Sequence, residues 1–78
     1  MRKEFYVKDT QNIEKISEII KKYDYDIWIH SKSGMVDAKS PLGTFAFSLK
    51  NQMYLITEDD IDATNLLKDL SEFLDFYD

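Results

Sequence analysis

Cysteine is absent from the 78-residue chain. No disulfide can staple the fold and no thiolate can hold a metal. Such a composition fits a reducing compartment. Glycine occurs twice, as Gly34 and Gly43, too rarely for a glycine-rich loop that cradles phosphate. The one histidine is His30, so no zinc-ligand cluster and no histidine-based catalytic pair can be read from spacing. Asp59, Asp60 and Asp62 lack the spacing and the loop glycine of a calcium-binding hand, and read instead as carboxylates in a helix first turn. Cations are scarce late in the chain. Residues 51–78 carry one Lys against eight Asp/Glu, whereas residues 1–50 carry nine Lys/Arg against seven Asp/Glu, and the net charge is −5. Phosphate contacts supply most nucleic-acid affinity, so this balance argues against a nucleic-acid partner, and equally against an anionic membrane surface. The acidic run reads as a solvated face of the last helix. No apolar run follows Met1-Arg2-Lys3-Glu4 or reaches membrane-spanning length. The expectation is one soluble, cytoplasmic domain over residues 1–78, with no metal, no cofactor and no catalytic residue.

What the chain does have is a regular alternation of patterns. Lys3 to Val7 alternates polar and apolar, which predicts a half-buried strand. Ile13, Ile16, Ile19, Ile20 and Tyr23 then recur at helical spacing, with Glu14, Lys15, Glu18, Lys21 and Lys22 toward water. Residues 27–38 predict a hairpin, with a turn at Ser31-Lys32-Ser33-Gly34 where Gly34 is free to take a positive φ. In Val36-Asp37-Ala38-Lys39-Ser40-Pro41-Leu42-Gly43 a strand stops and a helix begins. Ser40 is placed as N-cap and Pro41 at the first helical position, and the helix runs to about Leu49. Lys50-Asn51-Gln52 predicts a turn and Met53 to Thr57 a strand. Ala63, Leu66, Leu67, Leu70, Phe73, Leu74 and Tyr77 form the stripe of a last helix. The order β-α-β-β-α-β-α predicts an α+β fold, an open-faced two-layer sandwich with a four-stranded antiparallel sheet and three helices on one face. On the open face, alternation places Tyr6, Trp28, His30 and Met35. In the fourth strand either Met53 and Leu55 or Tyr54 and Ile56 join them, the first pair being preferred.

Three blocks carry a likeness: Tyr23-Asp24-x-Asp26-Ile27-x-Ile29, then Gly34-x-Val36-Asp37-Ala38-Lys39-Ser40-x-Leu42-Gly43, then Asp60-x-Asp62-Ala63 opening a Leu-rich final helix. Together they span most of residues 3–75, and the middle one is the most specific. On them the chain resembles the histidine-containing phosphocarrier (HPr) family of the bacterial sugar phosphotransferase system. The resemblance implies strand order 1-4-2-3. It also implies a phosphoryl-carrying His in a Gly-x-His-x-Arg-Pro loop after the first strand. Here that interval is Lys8-Asp9-Thr10-Gln11-Asn12-Ile13, with no His, Arg, Gly or Pro. Phosphoryl transfer needs an imidazole nucleophile and cationic or N–H donors for the phosphoryl oxygens. The carrier site is therefore not carried over, and His30, on the opposite face by alternation, reads as a surface histidine.

Ser40 matches the family's regulatory phosphorylation site and is equally an ordinary N-cap. Pro41 stands where the family has a bulky aliphatic residue. Leu42 and Phe45 fall where the family presents apolar side chains to partner proteins, and one short helix does not separate that role from a half-buried one. The aromatic and Met-rich open face, with Trp28 and Met35, is a second surface for a protein partner or a second copy. The reading is an HPr-like module that is not an enzyme and lacks phosphocarrier activity. It would bind or regulate proteins related to the phosphotransferase system. The alternatives are a phosphoserine switch at Ser40 and a residual phosphocarrier using His30 or a carboxylate.

Overall fold

The computed structural model describes residues 1–49 and 51–77. In chain order these form β1 (Arg2–Val7), a 3₁₀ turn (Thr10–Asn12), α1 (Ile13–Lys21), β2 (Trp28–Ser31), β3 (Gly34–Asp37), α2 (Pro41–Ala46), β4 (Met53–Ile56), α3 (Thr64–Leu70) and β5 (Leu74–Tyr77). One antiparallel sheet takes the order β3-β2-β4-β1-β5. The first four strands thus lie 1-4-2-3, and the expected four-stranded sheet is corrected to five strands.

The fifth strand comes from the stretch read as the end of the last helix. Leu66, Leu67, Leu70, Phe73, Leu74 and Tyr77 fit a helical stripe, but Leu74 and Phe76 against Asp75 and Tyr77 fit a strand equally well. Pairing decides between them. Residues 74–77 lie opposite Val7, Tyr6, Phe5 and Glu4, so β5 fills the hydrogen-bonding edge that β1 would otherwise leave bare. The helix closes at Ser71, whose hydroxyl donates to the Lys68 carbonyl at 2.7 Å, and Phe73 N donates to the Leu70 carbonyl at 2.9 Å. α2 also ends early, at Ala46 rather than about Leu49. The Ser48 amide and hydroxyl both donate to the Phe45 carbonyl, at 2.9 and 2.6 Å, and so take an acceptor the helix would have used. Of the turn predicted at residues 50–52, Lys50 lies outside the described residues.

Burial follows the pleat. Phe5, Ile29, Met53, Leu55 and Leu74 form one core with Ile16, Ile20, Leu66 and Leu70 of α1 and α3. The helices therefore cover a single sheet face. The preference for Met53 and Leu55 on the open face is overturned: both are buried, and Tyr54 and Ile56 face outward. Met and Leu bury without cost to a polar group, whereas a buried Tyr54 would need a partner for its hydroxyl. The acidic segment is also displaced from its expected role. Glu58-Asp59-Asp60 lie in the loop before α3, which has no acidic residue in its first turn. Asp62 accepts from the Thr64 amide at 3.0 Å and its hydroxyl at 2.6 Å, and these bonds lower its pKa.

Tyr23, just past α1, donates its hydroxyl to Asp69 of α3 and so ties the two helices. That bond, then burial and the Asp69 charge, push the Tyr23 pKa from 10.0 to about 12. The folded chain holds this proton more tightly than the unfolded chain. The stabilisation is whole below pH 10 and is lost as pH rises toward 12. Tyr23→Phe should therefore flatten the decline of the urea midpoint across that window, as read by circular dichroism.

Candidate functional site

The apolar surface of α2 is built from the end of β3. Asp37 O accepts from the Ser40 amide at 3.1 Å and from Ser40 Oγ at 2.6 Å. Ser40 is extended (φ −84°, ψ 165°), and its Oγ accepts from the Gly43 amide at 3.1 Å, so it is the N-cap that the sequence predicts. Pro41 follows in the first turn, where a missing N–H costs nothing. Gly43 turns inward and is buried against the backbone of Asp37 and Ala38. Thr44 meets Ser17 of α1, with their hydroxyls 3.4 Å apart, which sets α2 beside α1. With Gly43 and Phe47 facing in, Leu42 and Phe45 face out, 67% and 62% exposed, and Pro41 is exposed beside them. Residues three apart share a helix face, so Pro41, Leu42 and Phe45 make one apolar patch next to Ser40.

Ser40 uses both halves of its hydroxyl, one to donate and one to accept. A phosphate there would give up the bond to Asp37 O and stand near the Asp37 carboxylate, which accepts from the Lys39 amide at 2.8 Å. The Lys39 ammonium is turned away, toward the Tyr23 carbonyl.

Trp28 and Met35 lie elsewhere, on the open face of the sheet. Trp28 is opposite Asp37 and Ile56, and Met35 is opposite His30 and 59% exposed. Around them the register places Tyr54, Glu4 and Tyr77 in one row and Ile56 and Arg2 in the next. The Arg2 guanidinium stacks 3.7 Å from the Tyr54 ring centre. Tyr6 and Tyr77 meet edge-on at 5.2 Å. Glu4 accepts from the Tyr6 hydroxyl at 3.2 Å and from Gln52 at 2.8 Å, and the first bond raises the Tyr6 pKa. The six candidates thus separate into two surfaces: Ser40, Pro41, Leu42 and Phe45 on the helix layer, and Trp28 and Met35 on the open face. Sequence reasoning misses Tyr54, because it turns β4 over, and Tyr77, because it takes β5 for helix.

No family model, curated protein or solved structure matches the chain.

The loop after β1 has its own chemistry. Asp9 caps the 3₁₀ turn, accepting from the Gln11 amide at 2.9 Å. An anion brought to this start of the helical segment meets a carboxylate. Lys8 reaches the other way, donating to the Ser71 carbonyl at 3.0 Å, with Asp75 at 3.8 Å. A cleft of about 430 Å³ opens here, between Tyr6 to Thr10 on one side and Leu49 and Asn51 on the other. His30 belongs to the opposite face, its ring 6.5 Å from that of Tyr54. Among the described residues no group of His, Asp and Glu is arranged to hold a metal ion, and no helix is long and apolar enough to cross a membrane.

Proposed function

We propose that the chain is an HPr-like protein-binding or regulatory module of the cytoplasm, without phosphocarrier or other catalytic activity. Its partners would be proteins of the phosphotransferase system or its regulation. The observation that carries the reading is the solvent exposure of Leu42 and Phe45 on a helix fixed from both sides by Ser40 and Gly43. Two large apolar side chains held outward on a rigid turn are what a docking surface needs, because little ordering entropy remains to be lost on binding. The loop chemistry favours the same reading. A carboxylate caps the turn, the neighbouring lysine is engaged elsewhere, and the imidazole lies across the sheet. A phosphoserine switch at Ser40 is the weaker alternative, since modification would break the bond from Ser40 Oγ to Asp37 O. The open face is a second docking surface for a protein or another copy of the chain, supported by its cross-strand row of Met35, His30, Tyr54, Glu4 and Tyr77.

The test is a titration of the isotopically labelled chain with the phosphoryl-donating enzyme and the sugar-specific proteins of a bacterial phosphotransferase system, followed by amide chemical shifts. Shifts should centre on Leu42 to Ala46. Replacing Leu42 and Phe45 together by Lys should weaken binding by at least about thirtyfold, as for anchoring side chains at interfaces, and leave the folded spectrum otherwise intact. Binding that ignores the double replacement would remove the helix from the reading.

A further inference from the structure

The connection between α3 and β5 is three residues long, Ser71-Glu72-Phe73. Neither glycine nor proline occurs between Thr64 and Tyr77, so nothing in the local sequence demands a reversal there. The turn rests on bonds from Ser71 to Leu67 and Lys68 and from Phe73 to Leu70. The same residues continue the helical stripe of α3, as Phe73 and Leu74 follow Leu66, Leu67 and Leu70.

The strand that follows pairs only with β1, and Leu74 is its one fully buried side chain. Charge complements the pairing. The β1 stretch carries Arg2, Lys3 and Lys8 against Glu4, whereas residues 72–77 carry Glu72 and Asp75 and no cation. Lys8 bonds across to Ser71 and approaches Asp75, and its amide donates to the Phe73 carbonyl at 3.0 Å. The edge of β1 therefore suits one kind of segment: extended, acidic, with apolar residues at alternate positions.

We propose that β5 exchanges between two copies of the chain, adding to β1 of the partner while residues 71–73 straighten into a helix continuous with α3. Exchange reproduces the β1–β5 register between chains, gives up the Lys8 bonds to the Ser71 and Phe73 carbonyls, and replaces a turn that the sequence does not favour with helix that it does. The opposing term is the entropy of association, so the exchanged form grows with concentration.

The absence of cysteine makes the test direct. Tyr6 and Asp75 are opposite each other in the register. Tyr6→Cys and Asp75→Cys chains are unfolded together, refolded at high concentration and oxidised, and the disulfide products are weighed by mass spectrometry. Exchange places position 6 of one chain against position 75 of the other, so the mixed product should far exceed the share that random collision gives. A statistical mixture, or no mixed product, overturns the proposal. Sedimentation of the unsubstituted chain after the same treatment is the second measurement, and a monomer at every concentration likewise overturns it. Glu72→Gly penalises the helical hinge in both copies and should lower the dimer association constant about tenfold. An unchanged constant would mean that the dimer forms without a helical hinge.

Discussion

Gly43→Ala should unfold a large part of the population under mild denaturant, although alanine is the better helix former. A Cβ built at Gly43 would lie 2.2 Å from the Asp37 carbonyl oxygen, 2.6 Å from Ala38 Cα and 2.8 Å from Ala38 C. All three are backbone atoms, so no side chain can swing aside. Either α2 lifts from the end of β3, or the bond from the Gly43 amide to Ser40 Oγ is given up. The helix-propensity gain of about 1 kcal/mol is set against overpacking of about 3 kcal/mol. A domain of this size has of order 5 to 10 kcal/mol in all. The urea midpoint should fall steeply with an unchanged slope. A neutral or stabilised variant would mean that α2 does not sit this close to β3.

Two phenylalanines only two positions apart should behave oppositely. Phe47 is fully buried, its ring 5.6 Å from that of Phe5, and Phe5 is itself part of the central strand pair with β4. Phe47→Ala removes a ring from the place where the end of α2 meets the sheet, and should cost about 3 to 5 kcal/mol. Phe45 is 62% exposed, so Phe45→Ala should cost no more than about 0.5 kcal/mol, while weakening partner binding if α2 is the docking helix. Denaturation of the two variants side by side reads the difference. Equal losses would contradict the outward setting of Phe45, and with it the proposed binding surface.

Much of this arrangement is legible in the amino-acid order alone. The strand at Lys3–Val7, the isoleucine-striped first helix, the hairpin turning at Gly34 (φ 112°) and the Ser40–Pro41 helix start all rest on local chemistry. In the strand and the first helix the side-chain period decides, and in the hairpin and the second helix the turn and cap residues do. The departures share a different cause. Residues 71–77 suit helix and strand alike, and a bare edge on β1, invisible along the chain, decides for the strand. In β4 the alternation is evident but its phase is not, because Met-Tyr-Leu-Ile is apolar on both faces. The facing of Met53 opposite Phe5 and Leu55 opposite Ile29 comes from pairing with β1 and β2. The exposed apolar patch proposed for docking is only half legible. Leu42 and Phe45 share one helix side by spacing, yet which side meets solvent depends on Gly43 lying against Ala38, a contact made in three dimensions.

The central proposal is that this scaffold binds without carrying a phosphoryl group. It is tested most directly by incubating the chain with labelled phosphoenolpyruvate and the phosphoryl-donating enzyme of a bacterial phosphotransferase system, followed by intact-mass measurement at neutral and acid pH. The expected result is an unmodified chain under conditions that fully label an HPr control. An acid-labile phosphoryl group on the chain, mapped to His30 or to a carboxylate, would contradict it.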